Sequence, residues 1–397
     1  MTAILGSITM RDYPKARSTV QTLDASRIRE VANAAMGRPD VLPFWFGESD
    51  QPTPAYIREA AIASLQRGET FYTPNLGRTD LRGAIADYLG RLHGRPFAAE
   101  RIGVTGSGVS ALMLAAQLIV EPGDRVVAVT PLWPNLIEIP RILGGTVERV
   151  PLVVREGRWR LDLDRLLAAL TPGTRALLLN SPNNPTGWTI DADEQRIVQD
   201  HCRRHGIWIV ADDVYERLIY RDGLATAPSF LKTAEPEDRI IGVNSFSKAW
   251  VMTGWRIGWL VVPPGLGAEL AKLIEYNTSC VPDFVQQGAI VALTRGEPHV
   301  DALRADLAGK RDRLAAALRR LPGVELPVAD GAMYAFFRLA GQDDSVALAK
   351  RLVAEAGLGL APGRAFGAEG EGWLRWCYAA DAAKLDEGIA RFTRAVA

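Results

Sequence analysis

Ser245-Phe246-Ser247-Lys248 follows an apolar run rich in β-branched residues, and Arg256 lies eight residues beyond the lysine. A lysine at the carboxyl end of a strand, with hydroxyls and an arginine nearby, suits a Schiff base formed beside a bound phosphate. The chain has only seven lysines, so few others compete for that role. Read alone, the segment is equally a surface lysine in a serine-rich turn.

Three other segments share that placement. Asn180-Ser181-Pro182-Asn183-Asn184-Pro185-Thr186-Gly187 follows a second apolar run. Pro185 holds Asn184 extended, and a side-chain amide there can donate to a ligand oxygen. The same residue types also make ordinary turns. Ala211-Asp212-Asp213-Val214-Tyr215 puts a carboxylate at the end of an apolar run over 207–210, either a ligand position or a helix N-cap. Thr105-Gly106-Ser107-Gly108-Val109-Ser110-Ala111 leads from a run into a helical pattern. Glycines there admit close approach, and free N–H groups at a helix start bind phosphate.

That last segment also fits the dinucleotide fingerprint G-x-G-x-x-A, which requires an acidic residue at the end of the next strand. Here the next strand ends Val129-Thr130-Pro131-Leu132, and Asp124 stands at its other end, so nicotinamide binding is disfavoured. His201, Cys202 and His205 have zinc-like spacing on a helix, but the H-E-x-x-H glutamate is missing. A solvated helix face is the better account, and no metal site is expected.

These segments need a frame. Short runs rich in Val, Ile and Leu at 101–105, 125–130, 146–151, 175–180, 207–212, 239–244 and 257–262 read as buried strands. Helical patterns at 108–119, 163–169 and 193–205 lie between several of them. The alternation predicts an α/β fold with a mostly parallel sheet and helices on both faces. Ligands of such sheets sit beyond the carboxyl ends of the strands, where the segments above begin. After Gly288 the pattern becomes α+β: one long helix over 300–321, strands at 333–339 and 374–377, helices at 345–356 and 384–396. We therefore expect a large domain over 47–288 and a smaller one built from 1–46 plus 289–397. Residues 1–46 are assigned to the smaller unit because they precede the sheet and lack sheet-like regularity.

Composition narrows the function classes. At roughly 100–200 residues per domain, 397 residues suit two or three domains, and 48% hydrophobic with 23% charged residues excludes disorder. Lys+Arg and Asp+Glu are both 46, for a formal net charge of +0. That balance argues against nucleic-acid binding, which calls for a basic excess. The three cysteines, Cys202, Cys280 and Cys377, are scattered and odd in number, so a reducing, cytoplasmic compartment is expected. Residues 1–20 lack an apolar core of signal-peptide length, and the longest apolar run, 111–120, is far short of the ~20 residues of a membrane span.

Taken in order and spacing, ending in Ser-Phe-Ser-Lys and then Thr253-Gly254-Trp255-Arg256-Ile257-Gly258, the motifs resemble the class I/II aminotransferases, fold-type-I pyridoxal-phosphate enzymes. The resemblance runs from Gly47-Glu48-Ser49-Asp50 to Trp373-Leu374-Arg375-Trp376-Cys377-Tyr378. It implies an aspartate-aminotransferase-like fold with pyridoxal 5′-phosphate held by Lys248. It makes Asp212 the partner of the pyridinium nitrogen, and Asn184 and Tyr215 the partners of the phenolic oxygen. Trp133 would stack on the ring, although core packing is the commoner fate of a tryptophan. Ser107, Gly108, Val109, Ser245, Ser247 and Arg256 would hold the phosphate. Tyr72, in Phe71-Tyr72-Thr73-Pro74, matches the tyrosine that reaches across to a neighbouring subunit, which implies a homodimer with shared active sites. Arg375 matches the clamp for the substrate α-carboxylate, and Gly47 the backbone donor beside it.

The implied activity is ping-pong transfer of an amino group from an amino acid to a 2-oxo acid, the alternative being a β-lyase or oxidase on the same scaffold. A ligand-sensing regulator is disfavoured, because the 46 residues before Gly47 lack a basic recognition-helix pattern. Members that prefer acidic donors need a second cation, and the resemblance offers two places for it. One is Val109, where the family often has threonine or lysine; the other is 273–280, whose only charge is Glu275. Trp45, Phe46 and Trp188 flank Gly47 and Gly187, so an apolar entrance is expected, with Arg17 and Arg364 as cations that could still swing in. A neutral or apolar donor is the expectation.

Overall fold

The computed structural model describes residues 14–396. The part of the N-terminal reading that falls on residues 1–13 lies outside them. Seven strands build the central sheet: β1 (Ile102–Thr105), β2 (Arg125–Thr130), β3 (Thr146–Pro151), β4 (Thr174–Asn180), β5 (Trp208–Asp212), β6 (Ile240–Ser245) and β7 (Gly258–Val261). Their order across the sheet is β1-β7-β6-β5-β4-β2-β3. All pairings from β6 to β3 are parallel, and β7 runs against both of its neighbours.

Successive side chains on a strand point to opposite faces, and both faces here are apolar. Val127, Val129, Leu177, Leu179, Ile209 and Ala211 enter one buried cluster, while Val126, Ala128, Leu178, Val210 and Ile241 enter another. The Gly108–Ile119 helix covers the second face with Leu112, Ala115 and Ile119. Truncating one such leucine to alanine removes about 2–5 kcal/mol.

Two expectations change here. Residues 146–151 are not a buried strand: β3 is the sheet's edge, and its side chains alternate between exposed and half-buried up to Val150. The long helix spans Glu297–Leu318 rather than 300–321, opening with a proline in its first turn, where the missing N–H is not needed.

A second, four-stranded antiparallel sheet joins Val324–Glu325, Tyr334–Leu339, Trp373–Cys377 and Ala361–Pro362. Residues 1–46 do contribute a strand, contrary to their irregular look: Leu42–Pro43 pairs in parallel with Leu358–Gly359. Trp45 and Trp188 are buried in the core rather than set at an entrance, while Phe46 is exposed, with the Arg29 guanidinium 5.9 Å from its ring centre. Trp45 packs flat against Gly359, where any side chain would collide with its indole. Among the described residues, no helix is long and apolar enough to cross a membrane.

Candidate active site

The parallel strands bring their carboxyl ends to one edge, and register fixes what meets there. Asn180 pairs with Asp212 across β4 and β5, and Gly258 lies opposite both Thr105 and Ser245. The segments after β1, β4, β5 and β6 therefore open side by side.

The first feature is a tight cradle at the start of the Gly108–Ile119 helix. Ser107 caps that helix, its Oγ accepting from the Ser110 amide at 3.0 Å. A Cβ on Gly108 would stand 3.1 Å from the Ser245 Cβ, and one on Gly258 only 2.7 Å from the Gly108 nitrogen. The glycines thus let the helix terminus approach the loop after β6. In that loop the Ser245 and Ser247 hydroxyls are 2.9 Å apart. Val109 follows in the first helical turn, half-buried and uncharged. Arg256 stands exposed, donating to the Thr253 carbonyl at 2.6 Å, with a left-handed backbone (φ 50°) that costs a non-glycine residue roughly 1–2 kcal/mol.

Asp212 ends β5. A turn rather than a helix follows it, so it is no N-cap. Its carboxylate is buried, and among the described residues the one hydrogen bond it accepts is a long one, 3.4 Å from the Val214 amide. Burial pushes the Asp212 carboxyl up to about 7, against the pull of that amide and of Lys248. Such a group stands ready for a cationic partner.

Lys248 reaches back across the site. Its Nζ donates to the Gly47 carbonyl and lies 5.7 Å from the centre of the Tyr215 ring. Burial pushes this amine down to about 8, which gives a usable unprotonated fraction near neutral pH. Gly47 thus meets Lys248 through its carbonyl, whereas the resemblance assigns it as a donor.

Asn184 and Arg375 form the other wall. The Asn184 amide N–H donates to Asn180 Oδ1 at 2.7 Å, and its carbonyl accepts from the Trp133 N–H at 3.1 Å. Its Oδ1 accepts from Arg375 Nη1 at 2.9 Å, leaving Nδ2 as the donor without a protein partner among the described residues. Arg375 is buried, also donates to the Trp45 carbonyl, and keeps an unpartnered Nε. No carboxylate pairs with it among the described residues. A buried guanidinium without an anion is a site for one. Trp133 is half-buried beside this wall.

Tyr72 does not join the cluster within this chain. It is 91% exposed and its neighbour Phe71 is 83% exposed. His201, the metal decoy, bonds to the Leu170 carbonyl at 2.7 Å and stacks near His205, and Cys202 is buried.

Two contributors escaped the sequence reading. The Tyr334 hydroxyl lies 2.6 Å from that of Tyr215, and its ring faces the Arg375 guanidinium at 4.5 Å. The Phe366 ring also lies against that guanidinium, 4.8 Å from its centre. A side chain on Gly47 would collide with the Tyr334 hydroxyl, which accounts for glycine there. Tyr334 lies in a strand of the other sheet, so no spacing rule links it to Tyr215.

The residues fit pyridoxal phosphate on three independent counts. The cradle joins serines and free helix N–H groups in a space that a Cβ at Gly108 would crowd, suited to a phosphate. The buried Asp212 makes no ion pair among the described residues, and Lys248 is an amine whose pKa burial depresses.

Comparison with known proteins agrees. The family description "Aminotransferase class I and II" matches residues 39–392. Aspartate aminotransferase of Pyrococcus horikoshii is 33% identical over 95% of this chain and 96% of its own length. Arginine–pyruvate transaminase of Pseudomonas aeruginosa is 33% identical over 91% of each chain. The solved structure of an Escherichia coli protein described as having a methionine aminotransferase function superposes with TM-score 0.89 at 26% identity, covering 96% of this chain and 100% of that one. The chain belongs to the class I and II aminotransferases, fold-type-I enzymes that work with pyridoxal 5′-phosphate.

Proposed function

We propose that this enzyme takes its amino group from a neutral or apolar L-amino acid and passes it to a 2-oxo acid, and that it does so as a homodimer with shared sites. Bound pyridoxal phosphate supplies the electron sink that makes the substrate Cα proton removable. Lys248, freed from Gly47, would be the base that takes that proton and later gives it back. Asp212 would pair with the ring nitrogen, and the Tyr215 hydroxyl and Asn184 Nδ2 would be the partners for the phenolic oxygen. Arg375, with the Tyr334 and Phe366 rings 4.5 and 4.8 Å away, would bind the α-carboxylate through two charge-assisted hydrogen bonds. Ser107, the amides of Gly108 and Val109, Ser245, Ser247 and Arg256 would hold the phosphate.

The observation that carries the donor class is Val109. An isopropyl group occupies the first-turn position where a cation would meet a distal carboxylate. Of the remaining candidates, Arg17 donates to the Ile142 carbonyl at 2.8 Å, and the half-exposed Arg364 lies 3.9 Å from Glu371. The relatives act by name on acidic, basic and sulfur-containing amino acids, so membership alone does not choose among them. An unpaired distal carboxylate in such a pocket costs several kcal/mol, a preference of roughly a hundredfold or more. The test is kcat/KM across a panel of amino donors. A value for aspartate above that of every neutral donor overturns the reading.

The exposed Phe71 and Tyr72 support the shared site, since adjacent aromatics this open to solvent commonly mark an interface. Sedimentation equilibrium at assay concentration tests it; an active monomer refutes it.

A further inference from the structure

We propose that Glu216 and Asn244 form a positioning clasp that holds the Ser245–Lys248 loop in register with the turn carrying Asp212 and Tyr215. The proposal rests on the reading above that this loop receives the cofactor phosphate. Glu216 is buried in the turn after β5, and its Oε1 accepts from Asn244 Nδ2 at 2.7 Å. Asn244, near the end of β6, uses its Oδ1 to accept from the Ser245 amide at 2.8 Å. Ser245 Oγ in turn accepts from the Ser247 amide at 3.1 Å. An unbroken run of hydrogen bonds thus links the carboxylate of one turn to the phosphate loop of the next strand.

The arrangement has a counterpart on the other flank of β5. Asn180, at the end of β4, donates to the Asp212 carbonyl at 2.9 Å and accepts from the Asn184 amide at 2.7 Å. Each asparagine points its donor at the exit of β5 and its acceptor at its own loop. The three loops are therefore tied side by side by two side-chain amides, which extend the backbone pairing of the strands.

Glu216 makes no ion pair with an arginine or lysine among the described residues. Arg217 beside it pairs with Glu297, and Oε2 of Glu216 lies 3.8 Å from Nε2 of His93, with neither atom hydrogen-bonded. Asp213, also buried, bonds to Ser229 at 2.7 Å. A carboxylate buried next to another and lacking a paired cation is costly. Its short side-chain hydrogen bond is the one from Asn244, at 2.7 Å.

A donor–acceptor swap tests the clasp. Cofactor dissociation constants come from equilibrium dialysis of the full chain, alongside melting temperatures. Asn244→Asp sets two carboxylates against each other, and the dissociation constant should rise roughly tenfold or more. In the double variant Asn244→Asp with Glu216→Gln, the donor and acceptor exchange sides, and the constant should return to within about threefold of the original. If Asn244→Asp does not fold, Asn244→Ser replaces it, since one hydroxyl cannot span both partners; the same rise is expected, measured well below its melting temperature. A merely structural bond would lower the melting temperature and leave cofactor affinity alone. Arg256→Ala is the control for the site itself and should also weaken binding. If it does while Asn244→Asp (or its replacement) leaves affinity unchanged, or the double variant stays as weak as the single, the clasp is overturned and the site stands. If Arg256→Ala has no effect, the phosphate site is misplaced and the clasp falls with it.

Discussion

The hydroxyls of Tyr215 and Tyr334 lie 2.6 Å apart, joining the turn after β5 to a strand of the other sheet. The rings meet edge to face, 5.8 Å between centres, and burial raises the pKa of both phenols above the ordinary tyrosine value. Tyr334 also carries the Arg375 guanidinium on its ring at 4.5 Å. One side chain therefore touches both the group assigned to the phenolic oxygen and the group assigned to the substrate carboxylate.

Those two contacts separate by substitution. Tyr334→Phe keeps the ring beneath Arg375, so KM for the amino donor should stay within about threefold. Tyr334→Leu removes the cation–π contact, worth roughly 0.5–2 kcal/mol, and KM should rise about tenfold. Steady-state kinetics on the pair decides it; equal KM values would show that the ring does not hold Arg375.

Asp212 gives the cofactor-free protein a pH dependence of known sign. Its carboxyl titrates near 7 when folded against an ordinary value of 3.8, because of burial. The folded state then holds the proton more tightly than the unfolded chain. Its contribution falls as pH rises from about 4 to about 7 and is level beyond, a loss on the order of a few kcal/mol. Asp212→Asn should flatten that part of the profile in denaturant unfolding from pH 4.5 to 8. A profile as steep in the variant would assign the effect to Asp213 and Glu216 alone.

Val109→Lys should shift donor preference. A cation in the first turn of the Gly108–Ile119 helix supplies what a distal carboxylate needs, so kcat/KM for aspartate relative to the best neutral donor should rise at least about tenfold. An unchanged ratio would mean that donor choice is made elsewhere in the pocket.

Much of this site could be read from residue order because its members lie just past strand ends. β-branched runs mark the strands, parallel packing brings their ends together, and Lys248, Asp212, Asn184 and Ser107 each follow such a run. What escaped depends on contacts across long separations. Tyr334 and Phe366 reach Arg375 only through the packing of one sheet on the other, and Asn244 reads as another polar residue at a strand end. The solvent-facing edge at β3 was visible in Thr146-Val147-Glu148-Arg149, where apolar and polar residues do not sustain a buried run. Pro298 likewise marked the true start of the long helix. The buried Trp45 and Trp188 show the opposite error, since an aromatic next to a site glycine in sequence can face the core.

The central claim is that Lys248 holds the cofactor and moves the proton. Purified enzyme should be reduced with borohydride, digested and mapped by mass spectrometry. The account predicts the pyridoxyl mass on Lys248 alone, and a folded Lys248→Ala chain with turnover lower by orders of magnitude. Label on any other of the seven lysines, with Lys248 unmodified, would contradict it.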